Sequence, residues 1–241
     1  MDASIPVYRE IPHECPYLPD VQCSNLRFEL AQSSPEFLDI LLERGFRHFG
    51  DSFFRPECPG CEACVGIRIP VDTFKPNRSQ RRCLRDNTDL VLDMGPVIID
   101  EERLDLLNRF QLARWLDKNW SLIEYDEEQY RSSFCWDANL LQELIVRDQQ
   151  GKLLAVGIVD FTQTTASATY HFHDPQESRR GLGTWLLLRE LELLKTMQYR
   201  YLYLGLWNGQ CKSLDYKSRF LPHELLVDGE WLLSEKQAPN L

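Results

Sequence analysis

The sequence predicts an α+β fold, with a mixed sheet and its helices in the C-terminal part of the chain and a cysteine-containing region before them. Five segments carry this prediction, four with a strand-like pattern and one with a helical pattern: strands at 143–147, 153–161, 166–172 and 201–207, and an amphipathic helix at 184–197. The turn at Asp148–Gly151 separates the first two strands. We expect two domains, at 1–100 and 101–241.

Length, charge and composition limit the classes of function. A chain of 241 residues is long enough for a substantial core, and its charged and apolar fractions are those of an ordinary soluble protein. The formal net charge of −10 opposes general binding to nucleic acid, so any such contact must be local. No apolar run could span a bilayer, and the first eight residues lack signal-peptide character. We therefore expect a cytoplasmic protein that binds neither membrane nor DNA.

Two helices are predicted before the sheet. Ser34 and Pro35 are typical of a helix start, and Gly50 is a plausible end. Apolar side chains follow at helical spacing: Leu38, Leu41, Leu42, Phe46 and Phe49. The second helix opens at Asp100 and has an expected apolar face of Leu104, Leu107, Phe110, Trp115 and Leu116. Residues 1–32 are expected to be irregular.

Cysteines are concentrated near the N-terminus. The chain has eight, a high number for a chain without a signal peptide, and this favours metal binding or reduced thiols over disulfides. Five of them could supply thiolates to zinc or an iron–sulfur cluster: Cys15, Cys23, Cys58, Cys61 and Cys64. The alternative is a set of free, partly buried thiols, because the spacing is not that of a standard zinc ribbon.

A basic strip follows the cysteines. Its members are Lys75, Arg78, Arg81, Arg82 and Arg85. Arginine side chains suit phosphate and carboxylate oxygens. The strip therefore indicates a local anion-binding surface, although a solvated face paired with the chain's many carboxylates would have the same composition.

A glycine-containing loop lies between the third strand and the following helix. It reads Ser178-Arg179-Arg180-Gly181-Leu182-Gly183-Thr184. Glycines allow close approach of a ligand to the backbone, and a helix N-terminus offers free amides to an anion. The order of three strands, this loop, a helix and a strand resembles the core of acetyltransferase-like (GNAT-type) acyltransferases, which use a similar loop for the pyrophosphate of coenzyme A. A purely structural turn is the alternative.

Several sequence blocks together resemble one family over nearly the whole chain. They include CPYLPDVQ at 15–22, FRPECPGCEAC at 54–64, FKPNRSQRR at 74–82, YLYLG at 201–205 and DYKSRFLP at 215–222. This pattern is similar to that of the bacterial aminoacyl-tRNA–protein transferases of the arginyltransferase and leucyltransferase type. The resemblance implies transfer of leucine from leucyl-tRNA to proteins with an N-terminal Asp or Glu, which marks them for N-end rule degradation. Arginyl-tRNA is the alternative donor.

The implied chemistry makes modest demands on the protein. An aminoacyl ester is already activated, and the α-amine of an acceptor has a pKa of about 7.7–8.0, so no cofactor is required and no catalytic base is identified. The acceptor's carboxylate needs cations or hydrogen-bond donors, for which the candidates are Arg78, Arg81, Tyr216, Lys217 and Arg219. The candidates for contact with tRNA are Lys75, Arg82, Arg85, Arg179, Arg180, Gly181 and Gly183.

Two other classes of function fit part of the chain. A small-molecule acetyltransferase that uses coenzyme A would explain the glycine loop but leave the cysteines and the basic strip without a role. A non-catalytic, metal-dependent nucleic-acid-binding module would explain only the N-terminal region.

Overall fold

The structure is a computed structural model that describes residues 5–118 and 122–235. Its strands are β1 (Tyr8–Arg9), β2 (His13–Glu14), β3 (Gln22–Cys23), β4 (Asn25–Glu29), β5 (Arg47–Phe49), β6 (Ser52–Pro56), β7 (Val65–Pro70), β8 (Val91–Gly95), β9 (Leu141–Arg147), β10 (Leu153–Phe161), β11 (Thr165–His173), β12 (Tyr201–Trp207), β13 (His223–Val227) and β14 (Glu230–Ser234). Its α-helices are α1 (Pro35–Glu43), α2 (Arg78–Arg85), α3 (Glu101–Lys118), α4 (Glu127–Phe134), α5 (Leu182–Thr196) and α6 (Lys212–Asp215). Two 3₁₀ turns occupy Pro175–Arg180 and Tyr216–Arg219.

An eight-stranded mixed sheet organises the molecule, in the order β14-β13-β7-β12-β11-β10-β9-β8. The β11–β12 pair is parallel and the other pairs are antiparallel. The strands predicted in the C-terminal part and the helix between them are present, so the α+β prediction is confirmed. Two strands of this sheet, β7 and β8, come from the first hundred residues. The division at residue 100 stays a prediction.

Strands β11 and β12 separate from each other beyond their first residues. They pair only where Thr165–Ser167 lie beside Tyr201–Tyr203, although β11 runs to His173 and β12 to Trp207. The C-terminal halves of two parallel strands therefore diverge and form a V-shaped gap in the sheet, which we call the splay. Unpaired backbone groups along such a gap must bond to side chains or to a ligand.

Helices cover both faces of the sheet. Helix α5 packs one face with buried leucines and Trp185, while α3 and α4 cover the other through Leu107, Phe110 and Tyr130. A smaller sheet in the order β1-β4-β6-β5 packs with α1 around Phe28 and Phe53. The core therefore spans the chain from residue 28 to residue 220 and holds the splay between fixed layers.

Some predicted elements differ from the structure. Helix α1 begins as expected, with Ser34 Oγ accepting from the Phe37 amide, but it ends at Glu43, because Gly45 adopts a φ of +79° and turns the chain. Phe46 and Phe49 therefore lie outside the helix, Phe49 within β5. Residues 8–29, expected to be irregular, contain four short strands.

Helix α3 buries less of its length than its sequence pattern predicts. Leu107 and Phe110 are buried and Leu104 is half-buried, but Trp115 is 42% and Leu116 71% exposed, because the last turns extend past the core. Among the described residues, none of the helices combines the length and the apolar character needed to cross a bilayer. The first four residues, part of the stretch that lacks signal-peptide character, lie outside the described residues.

Candidate acyl-transfer site

A bulge in β12 shapes the floor of the splay. The register of β12 against β7 shifts between Tyr203 and Leu206, and Gly205 within that shift has a φ of +72°. Lys217 fills the space beside it. Its Nζ donates to the carbonyl oxygens of Leu204 and Leu206, each at 2.7 Å. Burial and the nearby charge of Arg47 lower the pKa of Lys217 to about 7.

Arg47 lies against this bulge. A methyl group on Gly205 would stand 2.9 Å from Arg47 Nη1, at the flexible end of that side chain, so it is the positive φ that favours glycine at this position. The guanidinium lies over the rings of Phe49 and Phe54, at 5.0 and 5.4 Å from their centroids. Burial lowers the pKa of Arg47 from its ordinary value.

Tyr216 borders the same space from the C-terminal 3₁₀ turn. Loss of water around its hydroxyl raises the pKa of Tyr216, an effect that Arg114 and Arg47 oppose and Glu190 reinforces. Its side chain nevertheless stays accessible, with the residue 38% exposed. A tyrosine that is both strongly desolvated and accessible lies in a cleft, where it can contact a bound ligand.

A buried carboxylate and an imidazole face each other beneath α5. Glu190 is completely buried, and His171 Nε2 lies 3.3 Å from its Oε2. Neither carboxylate oxygen has a hydrogen-bond partner among the described residues. The His171 ring rests on Gly157 of β10, where a methyl group would come within 3.0 Å of it. His171 belongs to β11, one of the two strands that bound the splay.

The glycine loop is an ordered turn at the start of α5. Gly181 adopts a φ of +65°, and no side chain caps the helix, so the first amides of α5 remain available to an anion. Helix α2 packs against this turn. Asn87 Nδ2 donates to the carbonyl oxygens of Cys83 and Arg180, each at 2.9 Å. The basic strip and the glycine loop are therefore neighbours, as a shared anion-binding role requires.

The predicted tRNA-binding residues differ in availability. Four of the cations are exposed: Lys75, Arg82, Arg85 and Arg179. Arg82 and Arg85 share Asp86, at 3.1 and 3.4 Å. Arg180 is occupied instead, with Nε donating to Asn87 Oδ1 at 2.7 Å and Nη2 to both oxygens of Asp89. The tRNA assignment of the set stays a prediction, and Arg180 has a structural role within it.

The predicted acceptor-binding residues come from two elements that touch. Gln80 Nε2, in the first turn of α2, donates to the carbonyl oxygen of Arg219 at 3.3 Å. Arg78 and Arg81 are exposed on α2, and Arg81 Nη1 donates to the Pro76 carbonyl oxygen. Arg219 is also exposed and lies 3.8 Å from Asp215. Of this set, Lys217 contacts β12 at the splay directly. The role of the five residues in acceptor binding stays a prediction.

The N-terminal cysteines surround a cavity. The cavity has a volume of about 880 Å³ and is lined by all five predicted thiols: Cys15, Cys23, Cys58, Cys61 and Cys64. Burial raises the pKa of Cys23 and Cys64 to about 11, so both are protonated near neutral pH. Within residues 5–118 and 122–235, no group of three or more His, Cys, Asp or Glu is arranged to hold a metal ion. A zinc or iron–sulfur site at these thiols stays a prediction.

Sequence reasoning did not identify Arg47, His171 as a partner of Glu190, or the bulge at Gly205. Arg47 stands in a run of aromatic residues with no recognisable motif, and Glu190 occupies an ordinary position of an amphipathic helix. Only Gly205, in the middle of an otherwise apolar strand, carried a signal, since glycine within a strand often marks a bulge.

Two family models match most of the chain. The model "Arginine-tRNA-protein transferase, N terminus" matches residues 13–82, and "Arginine-tRNA-protein transferase, C terminus" matches residues 102–227. Among curated relatives, the aspartate/glutamate leucyltransferase of Teredinibacter turnerae is 36% identical over 95% of this chain and 94% of its own. That of Chromohalobacter salexigens is 37% identical over 92% of this chain and 90% of its own.

A solved structure supports the fold. The crystal structure of FemX matches with a TM-score of 0.51 and 11% sequence identity, and the match covers 89% of this chain and 70% of that one. The fold is of the acetyltransferase type, as the order of strands, loop and helix predicts. The family matches cover both the N-terminal region, which the acetyltransferase alternative leaves without a role, and the C-terminal region, which the nucleic-acid-binding alternative does not explain. The chain belongs to the arginine-tRNA-protein transferase family and is an aminoacyl-tRNA–protein transferase.

Proposed function

We propose that this enzyme transfers leucine from leucyl-tRNA to proteins whose first residue is Asp or Glu. The observation that carries the proposal is the similarity to aspartate/glutamate leucyltransferases over nearly the full length of both chains. The added leucine would mark the acceptor for N-end rule degradation. We place the reaction in the cytoplasm, where charged tRNAs serve translation.

We take the splay as the site of this reaction. The acceptor's neutral α-amine attacks the ester carbonyl carbon, a C–N bond forms, and the C–O bond to the 3′-terminal ribose of tRNA breaks. The ribose oxygen leaves with the bonding electron pair and takes up the proton that the amine releases. Most of the rate can come from holding amine and ester together and from donors near the developing oxyanion.

The ends of the two substrates can enter from different sides. The exposed cations of α2 and the free amides at the start of α5 form a surface for the phosphates of the tRNA acceptor end. Tyr216 and Lys217 stand on the adjoining C-terminal turn, at the floor of the splay. This arrangement would bring the aminoacyl ester to the gap between β11 and β12.

The test is transfer of labelled amino acid from charged tRNA to peptides that begin with Asp, Glu or Ala. We expect leucine on the Asp and Glu peptides and none on the Ala peptide. Transfer of arginine in place of leucine would retain the reaction and change the donor. Failure to transfer either amino acid by folded enzyme would contradict the proposal.

A further inference from the structure

Arg47 is an unpaired cation in a desolvated position. Its Nε is inaccessible to solvent and has no hydrogen-bond partner, and its guanidinium has no ion pair among residues 5–118 and 122–235. The two most buried arginines of the described chain behave differently. Arg68 pairs with Glu43 and Glu224, and Arg103 pairs with Glu143. An unpaired desolvated charge costs free energy, and such groups in a cleft are candidates for binding a ligand.

The place of Arg47 in the fold is where an acceptor must arrive. The Gly205 bulge sets the guanidinium against β12 at the splay. The cavity of about 880 Å³ borders this position, because Tyr17 and Phe54 line it. Phe54 lies under the guanidinium, and the charge of Arg47 lowers the pKa of Tyr17 against the stronger effect of burial. A chain end could reach Arg47 through this cavity.

The chemistry around Arg47 matches a carboxylate. A guanidinium offers parallel N–H donors that suit the two oxygens of a carboxylate, and its aromatic support at Phe49 and Phe54 fixes the plane of the fork. Tyr17 and Tyr216 are both close enough to interact electrostatically with Arg47. An incoming anion would therefore meet the charged guanidinium with two tyrosines in its vicinity. A neutral amide of Asn or Gln would not supply the missing negative charge.

We propose that Arg47 binds the side-chain carboxylate of the acceptor's first residue and so determines the preference for Asp and Glu over their amides. The inference rests on the proposed function for its substrate class. It adds a specificity-determining residue in the N-terminal region, distinct from the exposed arginines of α2.

The experiment compares Arg47→Gln and Arg47→Lys with the unmodified enzyme. Transfer is measured at saturating charged tRNA on peptides that begin with Asp, Glu, Asn, Gln or Ala. We expect Arg47→Gln to lower kcat/KM on the Asp and Glu peptides by about 100-fold, chiefly through KM, and to leave the slow rates on Asn and Gln peptides nearly unchanged. Arg47→Lys should retain the positive charge but lose the paired N–H donors of the guanidinium, and its kcat/KM on the Asp and Glu peptides should fall by about tenfold. The ratio of Asp to Asn activity should collapse in Arg47→Gln.

Controls separate specificity from folding and from the donor. Arg131→Gln removes an exposed arginine of α4 and should leave all rates unchanged. Thermal melting should show that Arg47→Gln folds, since among the described residues Arg47 Nε has no hydrogen-bond partner for the variant to lose. An equal loss on all acceptors, or an unchanged ratio of Asp to Asn, would overturn the inference.

Binding without tRNA tests Arg47 independently of the proposed donor. Fluorescence anisotropy of labelled Asp and Asn peptides measures acceptor affinity alone. If the unmodified enzyme transfers no leucine but binds the Asp peptide in a manner that Arg47→Gln abolishes, the donor assignment fails and the inference stands. If it transfers leucine and Arg47→Gln binds the Asp peptide normally, the inference fails and the proposed function stands.

Discussion

Arg47 and Arg68 are arginines in similar surroundings, but Arg68 is paired with carboxylates and Arg47 has no such partner among the described residues. Both lie on strands, and both rest on aromatic rings, Arg47 on Phe49 and Phe54 and Arg68 on Tyr201 and Trp231. Arg68 Nε donates to Glu224 at 2.6 Å and its Nη1 to Tyr203 Oη at 3.0 Å.

The difference separates structural cations from ligand-binding ones. Arg68 has its carboxylates within the protein, Glu224 on β13 and Glu43 on α1, and thereby ties β7 to two neighbouring elements. Arg47 Nε has no acceptor among the described residues. Removing a paired cation should therefore weaken the fold, whereas removing the unpaired one should alter binding.

The largest expected loss of stability follows replacement of Arg68. Arg68→Met leaves Glu224, which is only 14% exposed, without its cation, and the free energy of unfolding should fall by about 3 kcal/mol. Urea denaturation would measure the change, with Arg131→Met as the exposed control, for which we expect less than about 0.5 kcal/mol. Equal stability of Arg68→Met and the unmodified enzyme would break the distinction between the two arginines.

The fold was predictable where a pattern is local. The bounds of β10 and β12 agree with the predicted segments because each is a largely apolar run of strand-forming residues. The hairpin of β13 and β14 also carries a local signal, Asp228-Gly229, with φ of +50° and +82°. Strand β7 was missed because its place between β12 and β13 depends on contacts with residues far away in the chain.

The site was predictable only in part, and for the same reason. The exposed cations on α2 and the glycine turn can be recognised in the sequence by residue type. Arg47 does not, because its importance comes from what surrounds it: a bulge at Gly205, aromatic support from Phe54, and the lack of a carboxylate partner among the described residues. The contact with the Gly205 bulge joins segments far apart in the chain, which no local pattern reports.

Replacement of Lys217 should give the next largest loss of stability. This lysine is bound by neutral carbonyl oxygens and not by a carboxylate. Its replacement in Lys217→Met leaves the carbonyl oxygens of Leu204 and Leu206 without their donor and should cost about 2 kcal/mol. Lys212→Met, at an exposed position nearby, is the control. A stability equal to that of Lys212→Met would show that water replaces the ammonium.

The same lysine makes stability depend on pH. Because the pKa of Lys217 is lowered to about 7 in the folded protein, the folded state releases its proton near neutral pH while the unfolded state retains it until about pH 10. The unfolded state binds more protons in this window, so Lys217 makes stability rise with pH by about 1 kcal/mol per unit above pH 7. Denaturation at about pH 7.0, 7.5 and 8.0, near the lower end of this window, should show that rise in the unmodified enzyme relative to Lys217→Met.

Exposed cations next to the glycine turn should act on tRNA and not on stability. Lys75 and Arg179 are exposed and have no ion pair within the part of the chain that the structure describes. The double variant Lys75→Gln/Arg179→Gln should bind charged tRNA about tenfold more weakly, with a salt dependence shallower by about one unit of slope per lost phosphate contact. Filter binding between 50 and 200 mM salt, the range over which such contacts lose about 10³-fold or more in affinity, would measure both. A slope equal to that of the unmodified enzyme would remove these residues from the tRNA surface.

Replacement of Arg180 should give the smallest effect on stability. It also allows a direct comparison with Arg179, the residue before it in the chain. The guanidinium of Arg180 is bound to Asp89 and Asn87, and its side chain is 23% exposed. Arg180→Gln should lower the free energy of unfolding by about 1 kcal/mol, because it breaks a partly exposed bidentate pair. Arg180→Gln should leave the salt dependence of tRNA binding unchanged. Arg179→Gln should instead reduce that salt dependence and leave the free energy of unfolding unchanged. If Arg180→Gln reduces the salt slope instead, Asp89 releases the arginine when tRNA binds, and pairing in the free enzyme does not identify a structural cation.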